Sequence, residues 1–315
     1  MTVYPSVIDM IGNTPIVDVS ALSPNAQARI LLKLEGENPG GSVKDRIARS
    51  MVLAAEAEGA LAPGATIIEP SSGNTGIALA MIARTRGYRV KIVLPDNVSV
   101  ERRQMLEVFG AEIIDSPGAQ GSNGAVTLAQ DLARQHPEWV FLDQYENEAN
   151  PLAHYETTGP EIWSEVPEVT HFVAGLGTSG TLMGAGRFLK EQNPEIEVFA
   201  VEPPVGEFVE GLRNLDEGYI PPVFERWGGL ELLDGKRIVR PRESLEWTRR
   251  LADLGVFAGV STGAAMAGAV RTADKIDRGT IVTIAADGGW KYLSLGAWTD
   301  DLDDVVERAK HTIYF

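Results

Sequence analysis

The chain is 315 residues long, 44% of them apolar and 23% charged, enough for one large core or two smaller ones, and wholesale disorder is excluded. Its 28 basic against 44 acidic residues leave a net charge of −16; that field repels nucleic acid and anionic lipid but does not forbid a small anionic substrate. No cysteine occurs, so a disulfide framework, a thiolate nucleophile and a Cys-type zinc site are ruled out. Residues 1–15 lack the basic and apolar regions of a signal peptide, and no run of about 18 apolar residues appears; the expectation is a cytoplasmic protein with no membrane partner.

Taken in chain order, ILLKLE (30–35), TIIEP (66–70), RVKIVLP (89–95), AEIIDS (111–116) and WVFLDQ (139–144) read as buried strands. THFVAGLG (170–177), EVFAVEP (197–203) and GTIVTIAAD (279–287) read the same way. Residues 45–59, 74–87 and 99–110 carry apolar side chains at helical spacing and stop at glycine. Strand–helix alternation of this kind predicts an α/β protein with mainly parallel sheets flanked by helices. Residues 205–243 lack clean periodicity and contain a Pro pair, so they read as a long loop or lid. Glu101, Arg102 and Arg103 read as a solvated helix face.

Ligands of such sheets sit beyond the carboxyl ends of the strands, which turns attention to four small, Gly- and hydroxyl-rich loops: GGSVKDR (40–46), PSSGNTG (70–76), GLGTSGT (175–181) and GVSTGAA (259–265). Any one of these alone reads as a plain turn; four in one chain indicate a ligand held by amides and hydroxyls. GLGTSG fits a dinucleotide fingerprint with Glu202 as the ribose acid, a different phosphate site at a helix N-terminus, or a structural turn. Lys44 reads as a surface lysine, or as an amine desolvated by the helix behind it and poised for Schiff-base chemistry. Asn74 and Ser261 read as helix N-caps, or as partners of a ring oxygen and a ring nitrogen. The four histidines (136, 154, 171 and 311) show no ligand spacing, so no metal is expected. A G-x-S-x-G elbow and a P-loop are both missing.

Together GNTP (12–15), GGSVKDR, PSSGNTG, GLGTSGT and GVSTGAA resemble, in this order and over nearly the whole chain, the cysteine synthase family of fold type II pyridoxal-phosphate enzymes, with a tryptophan synthase β-like fold. The resemblance implies pyridoxal 5'-phosphate as cofactor and a small-molecule amino-acid substrate. It implies a smaller mobile domain over 39–147 carrying the substrate loop, a larger cofactor-anchoring domain from 1–38 plus 148–315, and a homodimer. Lys44 would hold the cofactor covalently, Asn74 its ring hydroxyl, Ser261 its pyridine nitrogen, and Gly177, Thr178, Ser179, Gly180 and Thr181 its phosphate. Ser71, Ser72, Asn74, Thr75 and Gln144 would grip the substrate carboxylate. VERRQMLEVFGAEI, GLRNLDEGYIPPVF and DGGWKYLS are more specifically similar to cysteine synthase B and the actinobacterial O-phosphoserine sulfhydrylases. That match implies β-replacement on O-phospho-L-serine through an α-aminoacrylate, with Arg213 on the substrate phosphate. The sulfur would come from a thiocarboxylated carrier protein or from sulfide. The rivals are an O-acetylserine sulfhydrylase and a catalytically silent binding paralogue. A C-terminal HTIYF (311–315) reads as a frayed or docked tail, or as a cover over the site.

Overall fold

The apolar runs pair into two separate sheets. The computed structural model describes residues 3–71 and 73–309; Ser72 and the HTIYF tail therefore lie outside the described residues. Chain order runs β1 (Ile16–Asp18), β2 (Ala28–Leu34), α1 (Lys44–Ala57), β3 (Thr66–Pro70), α2 (Asn74–Arg86), β4 (Arg89–Pro95), α3 (Val100–Val108), β5 (Glu112–Ser116), α4 (Gly121–Gln135) and β6 (Trp139–Phe141). It continues with α5 (Ala149–Ala153), α6 (Gly159–Glu165), β7 (His171–Gly175), α7 (Gly180–Gln192) and β8 (Glu197–Glu202). After these come α8 (Pro222–Arg226), α9 (Gly229–Leu232), β9 (Gly235–Ile238), α10 (Pro241–Asp253), α11 (Val260–Ala273), β10 (Gly279–Ala285) and α12 (Leu302–Ala309).

One sheet is fully parallel in the order β5-β4-β3-β6. The other runs β1-β2-β10-β7-β8-β9, with only β1 antiparallel. The strands have apolar faces on both sides because helices cover both. On the smaller sheet Ile67, Ile92 and Leu94 face α1 and α2, while Ile68 and Val93 face Ala125 and Ala129 of α4. Each such fully buried aliphatic side chain contributes about 1.5–3 kcal/mol. No helix of the described residues is long and apolar enough to cross a membrane.

Three sequence expectations need correction. Residues 205–243 are not all loop: they hold α8, α9, β9 and the start of α10. The strand β9 escapes notice because it lies at a sheet edge, three of its four residues half-buried and Ile238 exposed, and forms no apolar run. The predicted strand 139–144 ends at Phe141, where Asp143 turns with a φ of +51° and the backbone N–H groups of Asp143 and Gln144 donate to the Glu69 carboxylate. Arg102 is not solvated. It is 1% exposed, because α3 packs on residues 289–295 and turns the guanidinium inward to pair with Glu210 and sit 5.2 Å from the Tyr292 ring centroid. Glu101 and Arg103 do face outward, bonded to Ser294 and Asp115.

The start of α1 is fixed from outside its own sheet. Arg46 is buried and forks onto both oxygens of Glu35 (2.6 and 2.8 Å), while also donating to Glu161 at 2.7 Å. Lys33 adds a 2.8 Å pair to Glu161. Burial alone would raise the Glu35 pKa, but the Arg46 guanidinium outweighs it and holds the carboxyl below its ordinary value. The apolar face of α1 (Ile47, Ala48, Met51, Val52) joins a cluster that continues to Ala149 and Ala153 of α5.

Candidate active site

One cleft opens where the carboxyl ends of both sheets face each other, the place such sheets present their loops. Every predicted site residue that is described lines it: Lys44, Ser71, Asn74, Thr75 and Gln144 on one side, the 177–181 loop, Arg213 and Ser261 on the other. Ser72 lies outside the described residues.

Lys44 is the first residue of α1, at the helix end pinned by Arg46. Burial pushes its amine below the ordinary lysine value, and the Asp287 carboxylate offsets this only in part. A lowered value favours the neutral amine that a nucleophile or base requires.

Neither Asn74 nor Ser261 is a helix N-cap: Gly73 caps α2 and Gly259 caps α11, so both side chains are free for other work. The capping work falls to Ser71, whose hydroxyl accepts from the N–H of Gly76 at 2.9 Å. The Asn74 amide donates to Asp287 at 2.8 Å and accepts from Lys291 at 2.6 Å. Thr75 donates to the Gln144 side-chain oxygen at 2.8 Å.

The 177–181 loop is built for close approach. A Cβ on Gly177 would lie 2.6 Å from the Gly211 carbonyl, and one on Gly180 would lie 1.9 Å from Asn150 Oδ1. Ser179 sits in the left-handed region (φ +73°) as the N-cap of α7, and its buried hydroxyl has no partner among the described residues. Orphaned donors at the N-terminus of a 13-residue helix fit a phosphate monoester. The acid that a dinucleotide site would need is spent elsewhere: Glu202 is fully buried, accepts from the Leu215 N–H at 2.8 Å and pairs with Lys236 at 3.0 Å.

Several participants carry no sequence signal. Asn150 joins the two sides of the cleft, donating to the Gln144 carbonyl (2.6 Å) and to Thr178 Oγ1 (3.1 Å). His154, buried in a π-helical turn over His154–Thr158, lies 3.3 Å from Thr181 Oγ1 through Nε2 and 2.9 Å from Thr158 through Nδ1. The Arg213 guanidinium donates to Tyr145 OH at 2.9 Å and lies 4.9 and 5.3 Å from the ring centroids of Tyr145 and Tyr219. It makes no ion pair among the described residues. No cluster of three metal-ligating side chains occurs among them either.

These groups meet the demands of pyridoxal phosphate: an amine of lowered pKa, a phosphate cradle and polar side chains for a heteroaromatic ring. Comparison with known proteins agrees. The family model described as "Pyridoxal-phosphate dependent enzyme" matches residues 7–287. Cysteine synthase B of Escherichia coli is 44% identical over 92% of this chain and 95% of its own. The cysteine synthase of Aquifex aeolicus is 40% identical over 94% and 92%. Among solved structures, O-ureido-L-serine synthase superposes with a TM-score of 0.87 at 39% identity, covering 93% of this chain and 94% of that one. Cysteine synthase (OASS) of Entamoeba histolytica superposes at 0.88 with 32% identity, covering 97% and 96%.

Proposed function

Since the chain belongs to the pyridoxal-phosphate dependent enzymes as a cysteine synthase-type member, we propose that it makes L-cysteine by β-replacement on O-phospho-L-serine, as a cytoplasmic homodimer. The observation that carries the choice of substrate is Arg213. A guanidinium with no carboxylate partner among the described residues, in the cleft of a chain of net charge −16, is a site for an anion. Its planar fork suits a departing phosphate, whereas an acetyl group would not need it.

Bound at the 177–181 loop, the cofactor supplies an electron sink for carbanion chemistry at Cα. The chain supplies the rest. Ser71, Thr75 and Gln144 hold the substrate carboxylate. Lys44 takes the proton from Cα and later returns it, the one base these loops offer. Arg213 receives the phosphate as the Cβ–O bond breaks. The Ser261 hydroxyl would offer the ring nitrogen a neutral partner, which would make the bound cofactor a weaker electron sink than a carboxylate partner would. The sulfur enters at Cβ as sulfide, or as the thiocarboxylate of a small carrier protein, whose acyl bond to the product water then cleaves to leave the carrier a carboxylate and cysteine free. The segment 39–147 is the unit that moves over bound substrate.

The test compares the two activated serines on the holoenzyme. Arg213→Ala should lower kcat/KM for O-phosphoserine about a hundredfold, the worth of two charge-assisted hydrogen bonds, and leave O-acetylserine turnover nearly intact. Equal losses on both substrates would remove the phosphate reading. O-acetylserine with sulfide is the second reading; the stacking of Arg213 on two tyrosine rings supports it, because the cation is not left bare when no phosphate is bound.

A further inference from the structure

A carboxamide has two ends of nearly equal shape, and only its partners decide which end faces where. Asn74 has a carboxylate at one end and an ammonium at the other. Its Nδ2 donates to Asp287 Oδ2, and its Oδ1 accepts from Lys291 Nζ. Asp287 is 1% exposed and Lys291 fully buried, so neither has water as an alternative. Turning the amide over would set the carbonyl oxygen against a carboxylate and the NH2 against an ammonium, costing both bonds and adding two repulsions.

The two ions are themselves fixed. Asp287 Oδ2 also accepts from Tyr292 OH at 2.7 Å, and Lys291 also donates to the Gly41 carbonyl at 2.9 Å. The Asp287 backbone pairs with Ser42, two residues before Lys44, and its carbonyl accepts from the N–H of Gly259, two residues before Ser261. One residue thus ties together the loops that carry Lys44, Asn74 and Ser261.

We propose that Asp287 and Lys291 are positioning residues that lock the Asn74 amide in one orientation, so that it presents its second N–H, never its carbonyl, to the anionic ring oxygen of the bound cofactor. The inference rests on the reading that Asn74 faces that ring. A donor there stabilises the oxygen as an anion; a carbonyl there would favour the protonated hydroxyl.

The experiment records the visible absorption of the purified holoenzyme, whose long- and short-wavelength bands report the charge on the ring oxygen, together with the cofactor dissociation constant of the apoprotein. Asn74→Ala, Asp287→Asn and Lys291→Met are compared with the unaltered chain at one pH. All three should move the absorption toward the band of the protonated ring oxygen and raise the dissociation constant about tenfold, one charge-assisted hydrogen bond. Asp287→Asn removes a negative charge and Lys291→Met a positive one, so a purely electrostatic influence on the site would shift the bands in opposite directions. Opposite shifts, or unchanged spectra in both while Asn74→Ala changes, overturn the proposal. An Asn74→Ala spectrum like that of the unaltered chain overturns the underlying placement of Asn74 instead. Should Asp287→Asn not be recovered folded by circular dichroism, Lys291→Met against Asn74→Ala decides by the same criterion.

Discussion

His154 shows how a single side chain near the cleft sets a pH response. Burial, with the Arg46 charge adding to it, pushes its imidazole down to about 3. In the unfolded chain the same ring takes up a proton near 6.5. Below that pH the unfolded state binds more protons, so stability falls as pH falls, by about 1.4 kcal/mol per unit. Asp45 and Glu69, pushed up by burial to about 7 and about 8, work the other way: their contribution is full below the unfolded carboxylate range and is lost as pH rises through those values. A bare stability curve therefore hides the histidine. The difference between the unaltered protein and His154→Gln isolates it. In urea unfolding, the advantage of the unaltered chain should shrink by about 2 kcal/mol between pH 6.5 and pH 5. A constant difference would mean that His154 takes up its proton alike in the folded and unfolded states.

At the scale of elements, glycines of the Gly-rich loops make separable predictions. Gly180→Ala puts a methyl into Asn150, which bridges Gln144 and Thr178. Apoprotein titration should show cofactor affinity falling about tenfold or more, the cost of a displaced polar bridge. Gly263→Ala, by contrast, would place a Cβ 2.0 Å from the Ser244 carbonyl where α11 meets α10. It should cost about 1–3 kcal/mol in unfolding experiments and leave the cofactor spectrum alone. The four loops were legible in the sequence for the same reason that these substitutions hurt: close backbone approach leaves runs of glycine and small hydroxyl residues. Asp287, Lys291, Tyr292 and Asn150 were not legible as participants. Each is a single polar residue with at least one partner far away in the chain, Asn74 for Asp287 and Lys291, Arg102 for Tyr292 and Thr178 for Asn150, and nothing local distinguishes it from a solvated one. Arg102 misled for that reason, since its burial depends on what packs over α3. The strand β9 was hidden by its half-buried edge position, whereas both apolar faces of β3 and β10 announced themselves.

For the whole molecule, the Arg102–Glu210 pair ties α3, beside the four-stranded sheet, to the segment that follows β8 of the six-stranded one. Removing one partner leaves a buried charge unpaired, at about 3–5 kcal/mol, while replacing both by apolar groups costs far less. Arg102→Met should thus destabilise the protein more than Arg102→Met with Glu210→Leu, as read from unfolding midpoints. The reverse order would show that the pair is worth more than its desolvation.

The anchoring of α1 has a mechanical consequence. Its N-terminal end is bolted by Arg46 to Glu35 and Glu161, and its apolar face is shared between α2 and α5. Glu35 directly follows β2 of the six-stranded sheet, while α2 leads from β3 to β4 of the four-stranded one, so this helix is held from both. Lys44, at its tip, takes its place from contacts on either side of the cleft and not from its own loop alone.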